Sequence, residues 1–241
     1  PDSQLQIIEK EAFSSTSIRS FTIPPHLTKI CERAFSECSE LRNIKFLPNS
    51  KLQTVELYAF SCSKINSFFI PSSLIELNEG WCHDIDMLTT ISISEDNPIY
   101  RLLNNEIVIG KSSIDAEKYD ELVFCSRNVK RVVIPNYIKK IRGCAFCSCN
   151  HLETIEFDPE SQLQTIGDCA FSKTSIQKFS LSPHITKIGH SAFRQCIKLQ
   201  KFDIPPNSQI QSIGDFLFLE TSIDNIQIPR QVTEIGSYAF S

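Results

Sequence analysis

Methionine and tryptophan each occur once in 241 residues, and glycine only seven times. Helix-favouring residues do not dominate, and the polar positions are too rich in Ser and Thr for long amphipathic helices. No glycine-rich phosphate-binding loop is present, because Gly143, Gly167, Gly189, Gly214 and Gly236 recur as turn glycines of a repeat. No Asn-x-Ser/Thr triplet occurs, so the chain carries no acceptor for an N-glycan. No apolar run approaches the roughly 18–20 residues of a spanning helix. No basic start followed by an apolar block marks a secretory leader. The chain opens at Pro1 rather than Met, and it reads as part of a longer protein. Its formal net charge is -4, with no Lys/Arg run, which gives no electrostatic footing for nucleic acid.

What the sequence does have is a repeat. Ala-Phe recurs with its phenylalanine at Phe13, Phe35, Phe60, Phe146, Phe171, Phe193 and Phe240, and Phe218 fills the same slot after Leu217. The steps alternate between 22 and 25 residues. A weaker copy places Trp81-Cys82 in the Ala-Phe slot. Apolar positions between anchors keep register, as in Ile18, Phe21, Ile23, Leu27, Ile30 and Phe35, or Ile176, Phe179, Leu181, Ile185, Ile188 and Phe193. The common form is an L-x-x-I-x-I strand, then Pro, then L-x-x-I, then Ala-Phe. Alternation at period two fits a short strand with one buried side, and the proline, lacking an N–H, ends it. No copy can bury its apolar side alone, so the copies must stack into a solenoid.

The copies running from Phe21-Thr22-Ile23-Pro24 to Ala34-Phe35, and from Val132-Val133-Ile134-Pro135 to Ala145-Phe146, resemble BspA-like leucine-rich repeats. The resemblance covers nearly the whole chain. It implies a β-rich right-handed solenoid with little helix, a parallel sheet of short strands on its concave side, and no enzymatic activity or cofactor. It also implies a cell-surface or secreted recognition and adhesion module whose partner is a protein or extracellular-matrix ligand. An intracellular scaffold of the same fold, in the cytoplasm, is the alternative, favoured by the missing glycan acceptors and by unbridged thiols.

The chain is expected to form one repeat domain over residues 1–241, interrupted at about 94–125. There Ile107-Val-Ile and Glu121-Leu-Val-Phe-Cys125 read as arms of a hairpin with a long loop. An Asn97-Pro98-Ile99-Tyr100 motif precedes it, and BspA-like chains often carry a similar one. Both ends break off within a repeat, which suggests end-to-end or homo-oligomeric association.

Cysteine clusters at Cys144, Cys147 and Cys149, with His151 close by, and this spacing invites a metal reading. Register answers most of it. Cys38, Cys149 and Cys196 each lie three residues after an anchor, and Cys144 and Cys169 two before one. They are expected to be packing thiols, although Cys144 and Cys169, as stacked neighbours, are spaced for a bridge. The histidines are scattered, and His26 and His184 share one repeat position, so no catalytic set is expected. Outward strand positions form two polar rows, one through Ser20, Asn43, Ser67 and Thr90, the other through Thr22, Lys45, Phe69 and Ser92. Phe69 and Val133 break this polarity. With Ser92, Tyr100 and Arg131 they form the expected partner-binding set.

Overall fold

The computed structural model describes residues 3–241, in two compact units, one ending at Glu117 and the other beginning at Lys118. The first holds β1 (Ile7–Ile8), β2 (Ser20–Ile23), β3 (Lys29–Ile30), β4 (Asn43–Phe46), β5 (Thr54–Val55), β6 (Ser67–Ile70), β7 (Glu76–Leu77), β8 (Thr90–Ile93), β9 (Tyr100–Leu103) and β10 (Ile107–Gly110). The second holds β11 (Glu121–Cys125), β12 (Arg131–Ile134), β13 (Lys140–Ile141), β14 (Thr154–Phe157), β15 (Thr165–Ile166), β16 (Lys178–Ser180), β17 (Lys187–Ile188), β18 (Lys201–Asp203), β19 (Ser212–Ile213) and β20 (Glu234–Ile235). No helix occurs among the described residues.

Both units are stacks of one coil. A longer strand is followed by a two-residue strand and then by the Ala-Phe turn. The two-residue strands pair in parallel, β1-β3-β5-β7 in one unit and β13-β15-β17 in the other, where five-residue β11 joins at β13. The longer strands pair as β2-β4, β6-β8, β12-β14 and β16-β18. Period-two patterning sets their faces: in β12, Val132 and Ile134 are buried while Arg131 and Val133 point out.

Anchor phenylalanines form ring columns. Phe13, Phe35 and Phe60 stack at centroid spacings of 5.0 and 5.3 Å. Phe146, Phe171, Phe193, Phe218 and Phe240 stack in turn at 4.9, 5.2, 5.9 and 5.3 Å. The spacing is close to that between strands, because the same ladder fixes both. Phe179 adds edge contacts to Phe171 and Phe193.

The turns carry a device that apolar periodicity does not reveal. Residues two before and two after each anchor are left-handed, including Arg33 and Glu37 around Phe35, Tyr58 and Cys62 around Phe60, and Cys169 and Lys173 around Phe171. Such a conformation costs an L-residue about 1–2 kcal/mol. It turns N–H groups along the stack. Phe35 donates to the Ala59 carbonyl at 2.7 Å and Phe171 to the Ala192 carbonyl at 2.8 Å, and their left-handed neighbours Glu37 and Cys169 donate to Ser61 and His190. The turn is therefore a third inter-coil ladder, and its hydrogen bonds offset the backbone strain. Only Gly80 among the glycines has a positive φ. Gly167 is needed for another reason: a Cβ there would lie 2.8 Å from the Gly143 Cα of the preceding coil.

Within the insertion β9 and β10 form an antiparallel hairpin around left-handed Asn104 and Asn105. The Glu121–Cys125 run is β11, which pairs in parallel with β13. The Asn97-Pro98-Ile99-Tyr100 motif is a buried clamp. The Asn97 amide donates to the carbonyls of Pro71 and Leu74 at 2.7 and 2.9 Å, and its oxygen accepts from the Ile99 and Tyr100 N–H groups at 2.9 and 2.7 Å. The Leu77 N–H donates to the Tyr100 hydroxyl at 2.9 Å. Tyr100 is thus a correction to the expected binding set: it is 1% exposed and ties the hairpin to the coil below.

Candidate recognition surface

The outward rows read from the sequence are paired as expected within each sheet. Ser20 faces Asn43, Thr22 faces Lys45, Ser67 faces Thr90 and Phe69 faces Ser92. In the second unit Arg131 faces Thr154, Val133 faces Glu156, Lys178 faces Lys201 and Ser180 faces Asp203. Most of these side chains are polar and exposed.

The apolar exceptions are real in the structure. Phe69 is 36% exposed and Val133 52% exposed. Phe69 is braced by Phe46, whose ring meets it edge-on at 5.6 Å, so the exposed ring is held rather than swinging. Ser92, directly opposite, is small and leaves one flank of Phe69 open. In the second unit Arg131 is fixed by its ion pair with Glu156 at 2.7 Å, beside Val133. Each patch therefore combines an exposed apolar side chain with polar neighbours. Four of the five expected residues reach the surface, as two pairs on two separate sheets.

The suspicious cysteines resolve into structure. All ten are thiols. The Cys38 thiol donates to the Phe13 carbonyl at 3.0 Å and lies 3.4 Å from the Thr16 hydroxyl. Cys196 does the same with Phe171 at 3.0 Å and Thr174 at 3.2 Å. A thiol three residues past the anchor thus satisfies the carbonyl of the anchor one coil below. Burial pushes the Cys196 thiol up to about 11. His151 is exposed, whereas Cys144, Cys147 and Cys149 are buried.

Against this geometry, a profile described as "BspA type Leucine rich repeat region" matches residues 2–102 and 117–241 in six copies. The chain belongs to the BspA-type leucine-rich repeat family. Its fold is a leucine-rich-repeat solenoid, a repeat scaffold for protein interaction. Solved structures agree on the fold. The pneumococcal vaccine antigen PcpA superposes with a TM-score of 0.73 at 18% identity, over 98% of this chain and 67% of its own. A leucine-rich repeat protein from Eubacterium ventriosum gives 0.68 at 17% identity, over 99% and 80%. A leucine rich cell surface protein from Faecalibacterium prausnitzii gives 0.68 at 20% identity, over 98% and 60%. No curated protein matches the chain significantly.

One residue of this BspA-type chain escapes sequence reasoning. Arg127 is 1% exposed, with its guanidinium 4.5 Å from the Phe124 ring centroid. It donates to the carbonyls of Ala145 at 2.9 Å, Cys125 at 3.2 Å and Cys144 at 3.4 Å. The coil containing β11 has no Ala-Phe turn; the Ala145 carbonyl still accepts from the Cys125 N–H at 2.9 Å, and Arg127 adds a second donor to it. The available signal is its register: Arg127 stands 22 residues before Cys149, in a slot where most other coils place Cys or Thr. No described helix is long and apolar enough to cross a membrane.

Proposed function

We propose that the chain is the recognition module of a cell-surface or secreted protein, engaging a protein or extracellular-matrix ligand in adhesion. The observation that carries this reading is the pair of exposed apolar side chains, Phe69 and Val133, on strand faces that are otherwise polar. Two similar solved structures, a vaccine antigen and a leucine rich cell surface protein, support the surface setting. The test uses purified chain against immobilised matrix proteins and intact host cells. Phe69→Asp and Val133→Asp should each keep the β-rich circular dichroism and unfolding midpoint while weakening binding at least about tenfold, a hot-spot loss of 1.4 kcal/mol or more. Unchanged binding in both variants would overturn the reading.

The second reading is an intracellular scaffold, favoured by ten cysteines of which none is bridged. Titrating the thiols of native-source protein under denaturing conditions separates the two. Ten reactive thiols support the scaffold, and several bridges support the surface module.

A further inference from the structure

The turn ladder of the first unit has an outer edge that the recognition surface leaves unused. A groove of about 470 Å³ runs along it. Ser36 and Ser61 form its floor, Arg33 and Tyr58 one wall, and Glu37 and Cys62 the other. The walls are the left-handed positions on either side of each anchor.

Core packing does not account for Cys62. Eight of the cysteines are buried and Cys169 is half-buried, while Cys62 is exposed. Its slot, two residues past the anchor, holds Ser15, Glu37, Asp84, Lys173 and Gln195 in other coils, all compatible with water. Nor is the thiol isolated. The Cys62 N–H donates to the His83 carbonyl at 3.0 Å, so the ladder itself brings the His83 ring beside the sulfur. The Ser61 hydroxyl lies between them, 3.6 Å from Cys62 Sγ and 3.5 Å from His83 Nδ1. Tyr58 meets the imidazole edge-on at 5.4 Å, and the Arg33 guanidinium lies 5.6 Å from the Tyr58 ring centroid. The imidazole is thus held in place. The hydrogen bond from His83, helped by Ser61, outweighs desolvation and the Asp84 carboxylate and holds the thiol below its ordinary value. A nucleophile beside an oriented base, opening on a groove, is an activated thiol.

We propose that Cys62 is a modification site for low-molecular-weight peptide disulfides of the glutathione class. His83 acts as the positioning residue that accepts the thiol proton. The groove offers a zwitterion both charges, Arg33 for a carboxylate in competition with Glu11 at 3.8 Å and Glu32 at 3.7 Å, and Glu37, which accepts from the Ser15 hydroxyl, for an ammonium group. In the reaction the Cys62 thiol passes its proton to His83, and the sulfur attacks one sulfur of the disulfide. A new S–S bond forms as the old one breaks, and the departing thiolate takes up the proton. One disulfide is consumed and one is made, so no other oxidant is required.

The test incubates the whole chain with oxidised glutathione and follows intact mass and peptide maps over time. One adduct is expected, on Cys62, and none in Cys62→Ser. His83→Gln should slow the native reaction at least about threefold, whereas the two denatured chains should react alike. First labelling at Cys169, labelling spread over several cysteines, or an unchanged rate in His83→Gln would each overturn the proposal. If His83→Gln loses its native circular dichroism, the wild-type pH–rate profile decides. An inflection below the ordinary thiol value of about 8.5 supports the proposal, and one at or above it overturns it. The outcome is independent of ligand binding at the strand faces.

Discussion

The ring column makes a quantitative demand. Phe171 is 0% exposed and stacks between Phe146 at 4.9 Å and Phe193 at 5.2 Å, with Phe179 against its edge at 5.3 Å. Cutting it to alanine removes a buried ring from a rigid stack, and a large-to-small core change of this kind costs about 3–5 kcal/mol. Loss of three ring pairs, each about 0.5–1.5 kcal/mol beyond area, pushes the value to the upper half of that range. Phe240 occupies the same slot, yet it is 43% exposed and pairs only with Phe218 at 5.3 Å among the ring contacts described. Phe240→Ala should therefore cost below about 1.5 kcal/mol by the same bookkeeping. Urea unfolding followed by far-ultraviolet circular dichroism measures both. With a slope of about 2–3 kcal/mol/M, Phe171→Ala should lower the midpoint by roughly 1.3–2.5 M and Phe240→Ala by under about 0.75 M. Equal shifts would mean that repeat position does not set burial, and the stacking argument would fail.

Two further outcomes follow from named contacts. Asn97→Ala removes the partner of the Ile99 and Tyr100 N–H groups and of the Leu74 carbonyl, while the Pro71 carbonyl keeps the Leu74 N–H, so it should cost roughly 3 kcal/mol, whereas exposed Asn104→Ala in the hairpin turn should cost about 1 kcal/mol; unfolding midpoints of the two variants compare them. The Lys29 and Glu56 side chains meet at 2.6 Å, and that contact, as a hydrogen bond, is the main cause holding Glu56 below and Lys29 above their ordinary values. The Glu56 share of stability is present above the ordinary carboxylate range and is lost as pH falls through its folded value. The Lys29 share is lost only as pH rises through its raised value. Between about pH 7 and about pH 3, Glu56→Gln should therefore lose less stability than the parent, by denaturant midpoint; an equal loss would show the pair contributes nothing.

How far the sequence reaches depends on which force sets a feature. Apolar spacing is written directly in side chains, so the columns through Phe35 and Phe171, the outward rows and the register of Cys38 and Cys196 are legible. Backbone dihedrals are not. Nothing in Tyr58, Cys169 or Gln195 announces a left-handed residue, because the ladder between coils imposes it against their own preference. The β9–β10 pairing is not legible, because Tyr100–Leu103, Ile107–Gly110 and Glu121–Cys125 are all apolar-rich runs and composition does not say which neighbours pair. Tyr100 misleads for a related reason: a tyrosine in an insertion invites a surface role, but its hydroxyl answers the Leu77 N–H. Arg127 is hidden because a buried guanidinium is explicable only once the missing turn of its coil is known. Cys62 and His83 stand 21 positions apart, and the turn ladder across one 22-residue coil brings them side by side.

The stack also explains why the outward faces can hold arrangements that do not favour folding. Lys178 sits directly opposite Lys201, a like-charge pair that costs a few tenths of a kcal/mol in a parallel sheet. It is eased by Asp203, which contacts Lys201 at 3.4 Å and accepts from the Ser180 hydroxyl at 3.1 Å. Exposed Phe69 and Val133 are small liabilities of the same order. None of the three is forced by the coil, since the same slots hold Thr, Ser, Asn or Glu in other copies. A scaffold whose stability lies in ring columns and three ladders can carry such residues at little cost. The fold therefore tolerates Phe69 and Val133 without requiring them, and the binding of Phe69→Asp and Val133→Asp decides whether a partner uses them.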